Sequence, residues 1–216
     1  MISGQVPAGR VVEVSPERLA GWLDRFAQRH GDLRFDQSAE TVRATASDGA
    51  TASIRMPFEP LREHPDLRTA LLDHVLRERR VGALLVRRGG YAAGVFDGRR
   101  LLASKVGHGY VQGRTKAGGW SQQRYARRRE QQAGQAYAKA ADAAAQILLP
   151  VVDDLEAVVG GGDRSGVEAV LADRRLTALR VLLTGRVLAT TDPRLEVLRR
   201  FGDQLRAVTI ALNELA

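Results

Sequence analysis

Three short apolar runs, Val-Gly-Ala-Leu-Leu-Val from Val81, Tyr-Ala-Ala-Gly-Val-Phe from Tyr91 and Leu-Leu-Ala-Ser-Lys-Val from Leu101, follow one another with little more than Gly89-Gly90 and Asp97-Gly98 between them. Runs too short for helices, joined by turn-forming pairs, predict an antiparallel meander. After its third strand comes a stretch, Tyr110 to Trp120, broken by Gly113, Gly118 and Gly119 that has little chance of regular structure. Helix formers resume at Gln122 and continue until Pro150 forbids them, with Ser121 as the cap. A Gly-rich arm therefore leaves a sheet edge and returns through one long helix.

From Gly98 to Arg129 the chain has no Asp or Glu, yet it holds Arg99, Arg100, Lys105, Arg114, Lys116, Arg124, Arg127, Arg128 and Arg129. Such a run calls for a polyanion. Arg124, Arg127, Arg128 and Arg129 crowd the first turns of the helix, where the macrodipole disfavours each cation by roughly 0.3 to 1 kcal/mol. Phosphates would offset that cost, since guanidinium and free N–H groups would share one anion.

The segment Gly118-Gly119-Trp120-Ser121-Gln122-Gln123-Arg124-Tyr125-Ala126-Arg127 resembles the Gly-Gly-Gln loop and following helix in the middle domain of the eukaryotic and archaeal peptide-chain release factor. It departs from that pattern at Trp120, which stands where the termination factors carry their Gln. Vms-like release factors, which free nascent chains from stalled ribosomes, shift the Gln to a Gly-x-x-Gln or Gly-Gly-x-Gln arrangement, and Gly119-Trp120-Ser121-Gln122 fits the former. The chain thus looks like a bacterial Vms-like release factor of the actinobacterial type, over roughly residues 81 to 216. The resemblance implies a peptidyl-tRNA hydrolase acting in ribosome rescue, with the large-subunit rRNA and peptidyl-tRNA as partners, no cofactor, and a monomer in the cytoplasm.

It also implies the roles. Gln122, with Gln123 as the alternative, would place a water at the peptidyl-tRNA ester, because an uncharged amide both donates to and accepts from water. Gly118 and Gly119 would let the backbone approach closely. The Trp120 ring would stack on an RNA base, while Lys105, Arg114, Lys116 and the helix arginines follow phosphates. His108 is the one other titratable group near the arm, read as a strand-end residue rather than a base.

Composition narrows the classes further. A net charge of +8 suits nucleic acid better than a small acidic metabolite. Without cysteine there is no disulfide framework, Fe–S cluster or thiolate zinc site. His30, His64, His74 and His108 share no ligand spacing, so no metal is expected. No apolar run approaches membrane-spanning length and no signal-type segment follows the N-terminus. A nuclease is disfavoured by the lack of an acidic cluster, which leaves a non-catalytic RNA binder as the chief rival.

Elsewhere the chain alternates. Residues 1 to 14 read as a strand-like or irregular lead-in, and Ser15-Pro16 opens a helix with Leu19, Trp22, Leu23 and Phe26 on one face and Gly31 closing it. Trp22 is read as core. Val42, Ala44, Ala46 and Ala52, Ile54, Met56 flank Asp48-Gly49 as a hairpin, and Pro57 and Pro60 mark a linker to a helix from Asp66 to Arg80. Beyond Pro150 a strand at Leu155 to Val159, a turn at Gly160-Gly161-Gly162, a helix through Val167 and Leu171, an ambiguous stretch 177–190, a helix from Asp192-Pro193 and a last strand at Ala207 to Leu212 are expected. The fold class is α/β, a mixed and mainly antiparallel sheet flanked by helices like the release-factor middle domain. A small N-terminal part, 1–60, is expected to precede a catalytic domain, 61–216.

Overall fold

A computed structural model of the chain describes residues 9–38, 41–58, 60–61, 64–108 and 121–216, with backbone alone for 121–133. Its elements run β1 Val11–Val14, α1 Pro16–His30, β2 Leu33–Gln37, β3 Thr41–Ala46, β4 Thr51–Arg55, α2 Leu67–Leu76, β5 Arg80–Arg87, β6 Gly90–Asp97, β7 Arg100–His108 and α3 Ser121–Leu148. They continue with a 3-10 segment Leu149–Asp154, β8 Ala157–Gly162, α4 Arg164–Leu171, a short 3-10 turn Arg174–Leu176, α5 Thr177–Val181, β9 Leu183–Leu188, α6 Leu195–Arg206 and β10 Val208–Leu212. The α/β class stands, but the described strands form two five-stranded sheets rather than one.

The chain divides into two compact units, Met1–Arg77 with Leu205–Ala216, and Glu78–Gln204. The sequence division at 60/61 therefore differs from the structural one in two ways. Helix α2 goes with the first unit because Ala70, Leu71 and Val75 join its core. The C-terminal strand returns there because β10 is hydrogen-bonded between β1 and β4, with Ile210 opposite both Val12 and Ile54.

In the first unit the sheet order is β1-β10-β4-β3-β2, all antiparallel. Helix α1 begins with Ser15 in an extended conformation and Pro16 at its first turn, and it ends at Gly31, whose φ of 93° excludes most side chains. Leu19, Leu23 and Phe26, spaced to share one helix face, are buried against Val42, Ala44 and Ile54 of the hairpin. Gly49 has φ 90°, and Asp48 Oδ1 accepts a 2.9 Å bond from the Ala50 N–H, which fixes the turn between β3 and β4. Strand β2 was not anticipated, because Leu33 and Phe35 give it only a weak alternation. Helix α2 is shorter than expected: the Asp66 carboxylate accepts from the Arg68 N–H at 3.0 Å and caps its start, but the chain leaves helix at Arg77 to enter β5.

The second unit has strand order β7-β6-β5-β8-β9, antiparallel from β7 to β5 and parallel across β5, β8 and β9. The meander formed as expected, and both faces of its inner strands are covered, which explains their unbroken apolar runs. On one face α3 and α4 pack Ala140, Ala144, Leu148, Val167 and Val170 against Leu84, Val86 and Val158. On the other lies α6, with Leu198 over Gly94 and Phe201 over Gly161.

Gly160-Gly161-Gly162 is not the expected turn; it is the second half of β8. A Cβ at Gly161 would lie 2.8 Å from the Phe201 ring and one at Gly160 3.1 Å from Val167, so the glycines admit helices on both faces of a buried strand. The stretch 177–190 contains both candidates, α5 and then β9.

Candidate functional site

Strand β7 carries the chain to His108 at its exposed end, and α3 takes it up again at Ser121. The point of departure is tightly built. A Cβ on Gly107 would lie 2.2 Å from Cζ of Tyr91, and one on Gly90 would lie 2.7 Å from the Gly107 carbonyl oxygen. The Tyr91 ring is buried and lies directly over the backbone of β7 one residue before the strand ends. Tyr91 was not singled out in the sequence. The only signal for it is its cross-strand register with Gly107, which requires the meander to be aligned first.

Gly118, Gly119, Trp120, Arg114 and Lys116 lie outside the described residues. Gln122, Gln123, Arg124, Arg127, Arg128 and Arg129 all fall in the first turns of α3, as helical backbone. With about 100° per residue, positions 124, 127 and 128 lie within roughly 100° of one another around the axis. Position 124 is about 160° from position 140, where Ala140 is buried against the sheet. Positions 122 and 129 fall on the side of Ala140, and position 123 lies between that side and the side of the three arginines.

On helix α3, Tyr137 comes close to Gly166 of α4. Gly134, one turn earlier, has nothing within 4 Å of where a Cβ would stand. From position 140 back to position 127 the helix rises about 20 Å. The start of α3, with its arginine positions, is thus carried well beyond the buried alanines.

Lys105 is exposed on β7, and its Nζ donates to Gln146 Oε1 at 2.5 Å, tying the strand to the base of α3. Position 146 is about 28 Å of helix from position 127. Lys105 is therefore tied to the C-terminal end of α3 and not brought to the arginine positions. Among the described residues no group of His, Cys, Asp or Glu is placed to hold a metal ion. No described helix is long and apolar enough to cross a membrane.

The electrostatics of this unit also fix α3 at its base. Arg175 donates to Asp173 at 2.7 Å and reaches Asp142 of α3 at 2.9 Å. The side-chain hydrogen bond from Arg175 holds the Asp173 carboxyl down at about 2, and the same bond raises the guanidinium's own pKa.

Residues 79–211 match the family model described as the Actinobacteria/chloroflexi VLRF1 release factor. The chain belongs to that family. The match covers the meander, the arm, α3 and the rest of the second unit, and it leaves α1 and the β3–β4 hairpin outside. The chain is also similar to the archaeal translation termination factor aRF1, at 19% identity over 87% of this chain and 55% of that one, with a TM-score of 0.46. It therefore spans about half the length of that factor. Two further similar structures are the Vms1 mitochondrial localization core, at 10% identity over 88% and 93% of the two chains (TM-score 0.43), and Dom34 of S. cerevisiae, at 8% identity over 91% and 65% (TM-score 0.36). The latter is described as a translation termination-like factor involved in RNA quality control. No curated protein sequence matches the chain.

Proposed function

We propose that the protein is a ribosome-associated release factor that hydrolyses the ester of peptidyl-tRNA and so frees nascent chains from stalled ribosomal complexes. The observation that carries this reading is the order of residues at the head of α3: an uncharged Gly118-Gly119-Trp120-Ser121-Gln122 segment followed at once by Arg124, Arg127, Arg128 and Arg129, inside the stretch matched by a release-factor family. An ester is already an activated acyl donor, and the ribosome supplies most of the positioning. The protein need only bring a water and a preorganised hydrogen-bonding group to the carbonyl carbon. Gln122 does this in the reading favoured here, its amide oxygen accepting from the water while its N–H₂ donates to a neighbouring oxygen. Gln123 is the alternative register.

The arginines dock the arm on rRNA and tRNA phosphates, with Arg114 and Lys116 along the arm itself and Trp120 stacked on a base. Lys105, at the base of α3, adds a separate phosphate contact. The protein works as a monomer in the cytoplasm, without a cofactor.

Single-turnover release from stalled complexes tests this. Gln122→Ala should leave ribosome affinity nearly unchanged and slow release by about 10- to 1000-fold, the range for losing one preorganised group. Arg127→Ala with Arg128→Ala should instead raise the concentration needed for half-maximal release, with a larger effect at higher salt. If Gln122→Ala, Gln123→Ala and the double variant all release peptide at the parental rate, the glutamine mechanism is wrong. Binding without any release by the parent protein would favour a non-catalytic RNA-binding factor.

A further inference from the structure

The first unit carries a cleft of about 210 Å³ between the C-terminal half of α1, the start of β1 and the end of β10. Its lining includes three arginines, Arg10, Arg25 and Arg29, and the rings of Trp22, Phe26 and His30. No Asp or Glu side chain lines it, and among the described residues none of the three arginines forms an ion pair. The cleft lies outside the stretch matched by the family, whose residues begin at 79.

The rings form a ladder along one face of α1. Trp22 stacks on Phe26 with centroids 5.3 Å apart and planes 11° from parallel, and Phe26 tilts against His30 at 4.8 Å. His30 is held in place, its Nδ1 2.8 Å from Asp48 Oδ2 on the β3–β4 turn. Arg29 and His30 complement the negative end of the α1 dipole, which explains those two residues structurally. It does not explain Arg10, which comes from the lead-in to β1, or Arg25, whose guanidinium lies back along the helix near Gly21. Leu212 and Ala216 also line the cleft, and three guanidinium groups around one concavity favour the entry of an anion.

The cleft is smaller than the ~300–1,000 Å³ of sites that enclose drug-sized ligands. It is large enough for one anionic group and part of a flat ring, and an aromatic wall beside guanidinium groups is the chemistry that holds single-stranded nucleic acid. We propose that this cleft is a second RNA contact, taking one phosphate and the adjoining base of a single-stranded segment. Arg10, Arg25 and Arg29 hold the phosphate, and the half-buried Trp22 ring, backed by the buried Phe26, supplies the wall for the base. The choice of RNA over other sources of phosphate and base rests on the ribosome-associated reading above. The site itself is independent of the glutamine mechanism.

The chain has two tryptophans, so Trp120→Phe leaves Trp22 as the sole tryptophan emitter and its emission reports this cleft. A hexamer of adenylate RNA, the matching DNA hexamer, AMP, inorganic phosphate and an acidic hexapeptide are each titrated against that protein in the absence of ribosomes. The RNA hexamer should change Trp22 emission saturably. Arg25→Gln with Arg29→Gln should weaken it at least tenfold, and Arg199→Gln, an exposed arginine on α6, should not. Unchanged emission with RNA, or equal affinity of the double variant, overturns the proposal. Saturation by AMP, phosphate or the peptide at concentrations as low as the RNA hexamer overturns the RNA assignment in favour of a free-anion or peptide site, and equal affinity for the DNA hexamer overturns the choice of RNA. Because no ribosome is present, a failure here leaves the release reading untouched, and a failure of Gln122→Ala to slow release leaves this one untouched.

Discussion

Replacing Gly161 by alanine places a methyl group 2.8 Å from Cε2 and 3.1 Å from Cζ of Phe201, and 3.1 Å from Cγ of Leu85. Carbon atoms in cores prefer separations near 3.5–4.0 Å, and Phe201 and Leu85 are both fully buried, so neither has solvent to move into. Overpacking of this kind costs roughly 1 to 3 kcal/mol. An opposing gain comes from the unfolded chain, since alanine has fewer conformations to lose than glycine, about 0.4 to 1 kcal/mol. That gain is available because Gly161, unlike Gly162 with its φ of 89°, is not in the left-handed region. Packing wins at the middle of these ranges, and the net expectation is a loss of roughly 1.3 kcal/mol, bounded by about 0 and 2.6 kcal/mol, or up to about 10 °C in Tm for a chain of this size. Phe201→Leu removes the ring that the methyl group strikes. The double variant should then be more stable than the two single effects predict, with a coupling of at least about 0.5 kcal/mol. Urea unfolding followed by far-ultraviolet circular dichroism, on the parent, both single variants and the double, gives all four corners of the cycle. If Gly161→Ala exceeds the parent in stability, or if the two effects simply add, then Phe201 does not rest on Gly161 and the account of the triplet as a passage for helices fails.

Further expectations concern the arm and its base. Gly107→Ala, whose new methyl group would stand 2.2 Å from the Tyr91 ring, should expel that ring and lower Tm, and Tyr91→Ala in the same chain should recover part of the loss; a Gly107→Ala protein with parental Tm and unchanged tyrosine exposure would contradict this packing. The Asp173 carboxyl is held at about 2, below its ordinary 3.8, so its bond to Arg175 contributes stability that is present above about pH 4 and is lost as pH falls toward 2. Asp173→Asn should therefore lower Tm at pH 7, and most of that difference from the parent should be gone near pH 2, as read by paired thermal melts. An equal difference at both pH values would rule out that charge as the cause.

Much of the second unit was legible because its signals are local. Val81–Val86 and Tyr91–Phe96 are apolar runs bounded by turn pairs, Pro150 stops α-helix within two residues of where it ends, and the acid-free basic stretch needs no fold to be seen. The candidate residues were legible for the same reason, since Gly118 to Arg129 are consecutive. What sequence could not supply was every feature that depends on distant segments meeting. Gly160-Gly161-Gly162 has the composition of a turn, and it is a strand only because Phe201, forty residues on, covers it and Val167 covers the other side. The last strand reads as the end of whatever precedes it, yet β10 pairs with β1 and β4 and so joins the other unit. Arg10 is far enough from Arg25 and Arg29 along the chain to form no local motif with them, and only α1 and β1 bring the three around one cleft. Lys105 belonged by charge to the basic run, and its bond to Gln146 ties it to the C-terminal end of α3 instead. Periodicity, turn chemistry and charge runs are properties of neighbours along the chain and survive without a fold. Strand order, the company a glycine keeps and the clustering of like charges are set by contacts that close loops of tens to hundreds of residues, and those exist only once the cores have formed.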